Sequence, residues 1–519
     1  MDGRVRPPSP RTLRSWHDHL APGAAFDPAG VEHPGGLPAL WTAAWAGSPR
    51  TPLLLEVSSG PDGGRWVTAG ELDDRSGRAA EVLGGWAGGG GVVLWSPTRT
   101  VGAVVSHVGA LRAGLTVVPC NPEATARELG HVVEDVRPAV AVAAGPDQAR
   151  VLAACGVPVV ADHGLGVLDR SGAGDGGDGS GRRRAIVPGG LVGYTSGTTG
   201  APKGAMLGPA NLLANSRALA AAWGWTGEDR LVHALPLFHG HGLCAGLYTS
   251  LLAGGSVVLL PSFDVGAVIE AAADHGASMF FGVPTMYHRI AGSGRAGELR
   301  SLRLAVSGSA PLAGDLQRSL RADGVDVLER YGMTETLLTV SNPLEGERRA
   351  GTVGFPLPGV EARVEEESGE LLVRGPQVFA GYLGRPEATA AAFTEGWFRT
   401  GDLAEVDDGY LRILGRSGDV VISGGFNVYP AEVEEVLARH PGVAEVAVAG
   451  TPSEEWGEVV TAWVVPAGPV LDTGALVEFA AGELAPYKRP RVVHLVEALP
   501  RNAMGKVTRS ALSAGEGLA

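Results

Sequence analysis

The amino-acid sequence predicts an α/β protein: a large N-terminal domain of α/β subdomains with parallel sheets and a small β-rich part, followed by a small mobile α+β domain. Three observations carry that expectation. Short apolar runs alternate with stretches of helical spacing over most of the chain, the pattern of βαβ units. From about residue 350 the texture changes to short, turn-separated, β-like segments. A glycine-bearing joint, RSGDVVISGGF at 416–426, then precedes a last stretch with its own strands and helices, enough for a separate small domain.

In chain order, residues 1–35 read as a flexible arm or a loosely docked cap, 36–414 as the large domain and 415–519 as the small one. VVLWS (Val92–Ser96) is a strand, and TVGAVVSHVGALRAG places Val101, Val104, Val105, Val108 and Leu111 at helical spacing. LTVVPC, RELGHVVEDV and AVAVAA continue as strand, helix, strand. SGAGDGGDGSGRRR (Ser171–Arg184) is low in complexity and reads as a disordered surface loop. The alternation resumes with NLLANSRALAAAWGW, RLVHALPLF, SVVLLPS, VGAVIEAAADHG, SMFFGVP, LRLAVSGSA and VDVLERYG. Beyond the joint, PAEVEEVLARHPG and ALVEFAAGELAP are helices, and EVAVAG and VVTAWVVPAG are strands.

With 519 residues the chain exceeds one ordinary core, and 45% apolar residues supply more than one. A net charge of −14 argues against a nucleic-acid partner, which calls for a basic face. The three cysteines, Cys120, Cys155 and Cys244, sit singly in apolar runs, as buried thiols of a reducing compartment do. The N-terminal MDGRVRPPSPRTLRSW lacks the apolar core of a secretory signal, and no apolar run reaches the ~18–20 residues of a membrane span. A soluble, cytoplasmic protein with no membrane partner is expected.

The first chemical signal is YTSGTTGAPKG, Tyr194–Gly204. An apolar strand leads into it. The residues beyond that strand read as neither strand nor helix but as a loop dense in N–H and O–H donors, suited to a polyphosphate. The Walker order fails, because Lys203 follows Pro202 and precedes Gly204. No strand–GxGxxG–helix unit is visible either.

Six further stretches come in order: LPLFHGHG, VSGSAPL, ERYGMTE, FRTGDL, LGRSGDVVISGG and PRNAMGKVTR. Together with the loop they resemble the acyl-adenylate-forming superfamily of acyl-CoA synthetases, adenylation domains and luciferases, over residues 40 to 512. The resemblance implies ATP, Mg²⁺ and coenzyme A as cofactors, and a small domain that rotates between two half-reactions. It implies that Thr195, Ser196, Gly197, Thr198, Thr199, Gly200 and Lys203 fold over the β- and γ-phosphates. Ser309, Ala310 and Pro311 would line the adenine and Tyr331 would stack on it, with Glu329, Arg330, Gly332 and Met333 along the same wall. Thr334 would contact the α-phosphate, Glu335 would hold the metal, Asp402 and Arg416 would take the ribose, and Lys506 would reach in from the small domain. Ser423, Gly424 and Gly425 would border the CoA channel, with Gly418 or Asp419 as hinge.

The chemistry asks for those residue types. A carboxylate attacking the α-phosphate brings anion to anion and needs positioning and cations rather than a protein nucleophile. A lone Glu is an apt ligand for Mg²⁺, which takes one or two carboxylates and the substrate phosphates. An Asp accepts well from two vicinal hydroxyls.

The acid is read from GVPTMYHRI, VSGSAPL, ERYGMTET and ERRAGTVGFPLPGVE, which look most like malonyl-CoA synthetases. The malonate-binding arginine of that group falls on Arg289, with Arg330, Ser309 and His239 as neighbours and His239 among the catalytic groups. A guanidinium fork suits a second carboxylate. The bland alternatives are a surface Arg289 and an Arg330 ion-paired with Glu329. SGGFNVYPAEVE follows the general acyl-CoA synthetase pattern instead, which leaves the acceptor open between free CoA and a carrier-protein phosphopantetheine. Competing functions are a short-chain, medium-chain or aryl acyl-CoA synthetase and a non-catalytic nucleotide-binding regulator.

Overall fold

The computed structural model describes residues 12–30, 33–57, 64–88, 90–143, 145–161, 186–195, 202–423, 425–453, 456–501 and 507–514. The low-complexity stretch Ser171–Arg184 lies outside them, as do Ser196–Gly200, Gly424 and Lys506. The chain divides into two compact units, Leu13–Ala362 with Val373–Phe398, and Arg399–Ala519 with Met1–Thr12 and Arg363–Leu372. The second unit thus takes in the strand pair before residue 415. No described helix is long and apolar enough to cross a membrane.

The larger unit holds two mixed sheets. The nine-stranded one runs in the order Phe355–Pro356, Leu337–Ser341, Val327–Met333, Leu304–Ser307, Met279–Gly282, Arg230–His233, Ser256–Leu259, Pro52–Glu56, Trp66–Thr68. From Val327–Met333 to Pro52–Glu56 the pairings are parallel, and the strands at both edges are antiparallel. Its central strands are continuous apolar runs because both faces are covered. Phe280, Ala305 and Val327 point into one core and Phe281, Val306 and Leu328 into the other, the period-2 alternation of a strand.

The seven-stranded sheet runs Gly381–Tyr382, Lys203–Leu207, Leu191–Thr195, Thr116–Pro119, Val92–Ser96, Val140–Ala143, Val159–Ala161. One expectation is corrected here. Lys203 and Gly204 do not continue a loop. They open a strand antiparallel to Leu191–Thr195, with Thr195 opposite Lys203 and Tyr194 opposite Gly204. A Cβ on Gly204 would fall 2.7 Å from Val192 Cγ1, so the glycine serves a close strand approach.

The N-terminal stretch from Leu13 belongs to this unit. A 3₁₀ turn, Trp16–His19, buries His19, whose Nε2 lies 3.3 Å from the Phe355 carbonyl.

In the other unit, Phe426–Val428, Val421–Ser423, Gly457–Pro466 and Val443–Ser453 form a sheet, with Val492–Leu495 added parallel to Gly457–Pro466. Helices Pro430–Leu437 and Thr473–Glu483 bury Val433, Leu437, Leu476 and Ala480 against Val448, Val460 and Val464. This is the small α+β core the sequence predicts.

Candidate active site

Strand register aligns one edge of the nine-stranded sheet. Phe281 sits opposite His233, Gly282 opposite Ser307, and Ser307 opposite Glu329. Four parallel strands therefore end in one row, and the chain leaving each carries candidate site residues. His239 follows the first, Arg289 the second, Ser309–Pro311 the third and Arg330–Glu335 the fourth. Crevices at the carboxyl ends of parallel strands are where α/β sheets bind ligands.

The row is lined with buried polar atoms that lack a protein partner. They are Arg330 Nε and Nη2, both ring nitrogens of His241, Ser307 Oγ and Glu329 Oε2. Each such group costs about 1–3 kcal/mol unless water or ligand satisfies it. The Arg330–Glu329 ion pair that the sequence allowed as the bland reading does not form at those guanidinium atoms. Glu329 instead accepts from the Leu312 amide, 2.9 Å, and burial pushes its carboxyl up to about 8. Burial lowers Arg330 as well. Burial, with the Arg330 guanidinium second, holds His239 down at about 4 and His241 well below the ordinary imidazole range. Both imidazoles are neutral at pH 7 beside one buried cation.

Two backbone features make room for that cation. A Cβ on Gly308 would lie 2.4 Å from Arg330 Cζ, so only glycine lets the guanidinium cross there. Ser309 adopts a left-handed φ of 73°, a strained state costing roughly 1–3 kcal/mol that clusters at functional positions. Ser309, Ala310 and Pro311 are exposed. His241 opens a π-helix, His241–Tyr248, a rare form frequent at functional sites. Arg289 lies on the exposed side of helix Pro284–Gly292, its guanidinium over the Phe263 ring at 5.3 Å.

Thr334, Glu335 and Lys203 gather next to this row. Strand Val327–Met333 is irregular between Tyr331 and Gly332, and only glycine fits there, since a Cβ on Gly332 would meet the Leu337 carbonyl at 2.0 Å. The turn after it presents Thr334 and Glu335. A Cβ on Gly193 would lie 2.6 Å from Thr334 Cγ2, so the strand leading into the loop touches the turn directly. Glu335 is buried, and its Oε1 accepts from Tyr382 OH at 2.9 Å. Lys203 Nζ lies over the Tyr382 ring, 5.2 Å from its centre. Tyr382 was missed in the sequence. Its strand has two residues and stands 47 positions from Glu335, so no local pattern marks it. Tyr331 and Met333 are half-buried along the same strand.

Glu335 is the residue of this turn suited to a metal. A single buried carboxylate fits an Mg²⁺ held mostly by substrate phosphates and water. It does not fit a full protein cage, and no group of three metal-ligating side chains occurs among the described residues.

The remaining residues lie in the other unit. Asp402 is buried, and its Oδ1 is 2.8 Å from Arg416 Nε across the hairpin in which the two residues pair. Arg416 also donates to the Thr400 carbonyl, 2.9 Å. Ser423 is buried and Gly425 has φ of 83°. Gly418 and Asp419 lie in the 3₁₀ turn Ser417–Asp419, with Asp419 3.5 Å from Arg509.

A buried cation beside neutral imidazoles, with a lysine and a carboxylate that both meet Tyr382, is chemically able to take an anion. Comparison with known proteins narrows it. The AMP-binding enzyme family matches residues 41–383, and the AMP-binding enzyme C-terminal domain matches 432–506. The chain belongs to the AMP-binding enzyme family. It is 41% identical to the mitochondrial malonate–CoA ligase of Mus musculus over 62% of this chain and 64% of that protein. It is 37% identical to the feruloyl-CoA synthase of an Amycolatopsis species over 86% and 93%. ATP-bound MatB from Rhodopseudomonas palustris is similar in structure, with a TM-score of 0.83, 37% identity and coverage of 92% and 98%. The chain spans about 60% of the length of several curated relatives, 60% for a probable CoA ligase of Humulus lupulus.

Proposed function

We propose that this protein is an AMP-forming acid–CoA ligase that joins malonate or methylmalonate to coenzyme A through an acyl-adenylate. The observation that carries the reading is the buried Arg330 guanidinium with Nε and Nη2 unpartnered. A buried planar fork suits a carboxylate not consumed in the reaction, and His239 and His241, neutral, can donate to it without further charge. The malonate–CoA ligases among the relatives support the choice of acid. So does a structural relative, 41% identical with a TM-score of 0.61, described with methylmalonyl-CoA and AMP bound.

In this reading the reacting carboxylate attacks the α-phosphate and pyrophosphate leaves. Lys203 holds the leaving phosphates, Thr334 donates to the α-phosphate, and Tyr331 covers the adenine. Asp402, fixed by Arg416, accepts the ribose hydroxyls. Glu335, oriented by Tyr382, would hold Mg²⁺, which neutralises phosphate charge when bound. Lys506 supplies the cation for the first half-reaction. Ser423–Gly425 pass the thiol arm in the second, with Gly418 or Asp419 as hinge. Free CoA is the acceptor in preference to a carrier protein. A second reading, an aryl acid, rests on the feruloyl-CoA synthase similarity.

Purified protein with ATP, Mg²⁺, CoA and malonate should yield AMP and malonyl-CoA faster than hexanoate, benzoate or ferulate yields its thioester. A faster monocarboxylate overturns the choice of acid. Arg289, exposed on its helix, is the other candidate for that carboxylate: Arg289→Ala should then lower malonate turnover and spare ATP binding, and unchanged turnover removes Arg289 from the site.

A further inference from the structure

The seven-stranded sheet carries a polar circuit that the reaction does not use directly. Helix Ala126–Val136 starts at a Thr125–Glu128 capping box and sets His131 and Asp135 four residues apart on one face. His131 Nε2 lies 2.9 Å from the Pro202 carbonyl. That oxygen can only accept, so Nε2 bears the proton. Asp135, buried on the same helix, accepts from Tyr194 OH at 3.3 Å. Its other oxygen lies 3.7 Å from Arg385 Nη2, and its Oδ2 lies 3.8 Å from His131 Nε2. The Arg385 amide donates to the Tyr382 carbonyl, 3.1 Å, and the Tyr382 ring faces Lys203 Nζ.

Tyr194 stands on one of two antiparallel strands and Pro202 immediately precedes the other, both next to the pair Thr195–Lys203. The Pro202 carbonyl is half of the peptide that leads into Lys203, so a donor held on it fixes the orientation of that peptide. One helix face thus grips both strands where the lysine emerges, and Arg385 ties the same face to the strand under the lysine's ammonium.

We propose that His131 and Asp135 are positioning residues for Lys203: by holding the Pro202 carbonyl and the Tyr194 hydroxyl they aim its ammonium at the terminal phosphates of ATP. This rests on the reading of Lys203 as a ligand of those phosphates. A side chain that acts only through Lys203 affects a triphosphate and not a monophosphate, which separates positioning from a general packing role.

The test is calorimetric binding of Mg-ATP and of AMP, with no acid required. His131→Leu should weaken ATP roughly tenfold, the scale of one lost hydrogen bond in a preorganised site, and leave AMP within twofold. His131→Gln, which keeps a donor, should restore most of the loss. In a Lys203→Ala background His131→Leu should have no further effect on ATP. Unchanged ATP binding in Lys203→Ala overturns the role of the lysine itself. If Lys203→Ala weakens ATP but His131→Leu does not, or lowers ATP and AMP binding equally, the lysine stands and the positioning role falls.

Discussion

Two polar clusters of the larger unit, one at each sheet, complete their hydrogen bonding in opposite ways. At the edge of the nine-stranded sheet, Arg330, His241, Ser307 and Glu329 are buried with polar atoms unmatched. Beside the seven-stranded sheet, His131, Asp135, Tyr194 and Arg385 match one another. Burial alone does not separate the two, since Asp135 and Arg330 are both buried. The difference is who completes the hydrogen bonding. In the proposed reading, groups matched within the protein hold geometry and groups left unmatched take the substrate. The first kind sets precision and the second sets identity.

That contrast can be broken most severely at Arg330. Arg330→Gln should cut kcat/KM for malonate at least about a hundredfold, the cost of removing a buried charge partner, and for a monocarboxylate less than tenfold. Equal losses, read in a two-acid AMP-release assay, would deny the unmatched fork its role in selecting a second carboxylate. A smaller change is expected from Gly308→Ala. The added methyl would fall on the guanidinium, the movable end of a long side chain, so the protein should fold with an ordinary melting temperature. The displaced fork should lower malonate kcat/KM about tenfold. Full activity in the alanine variant would show that the guanidinium does not need that crossing.

The smallest effect concerns Glu329. Its folded carboxyl is raised from 4.5 to about 8, so its contribution to stability is complete below about 4.5 and is lost as pH rises through about 8. Relative to Glu329→Gln, wild-type stability in denaturant titrations should fall across that window, by on the order of a few kcal/mol at most. Parallel pH curves for the two proteins would place a compensating partner on Glu329 Oε2.

Much of this was legible in the sequence, and the parts that were not have a common cause. VVLWS and SMFFGVP read as buried strands because apolar runs bounded by turn residues have few other fates. The residues around Tyr331–Glu335 and Ser309–Pro311 were marked by motif resemblance and do fall at one strand edge. The order of the strands was not legible, nor was Lys203 as a strand residue, since its partner strand is set by packing of Gly204 on Val192 and Tyr194. Tyr382, Gly308 and the His131–Asp135 pair escaped for the same reason. Each matters through a neighbour distant in the chain, and helical or strand periodicity carries no word of it.

Gly193 shows what such contacts demand over time. Its missing side chain is the clearance between one sheet and the turn that bears Thr334. Any descendant that enlarges position 193 must therefore trim position 334 in the same stroke or lose the hydroxyl's aim. The two sites are free to drift only as a couple, and their histories should be written together.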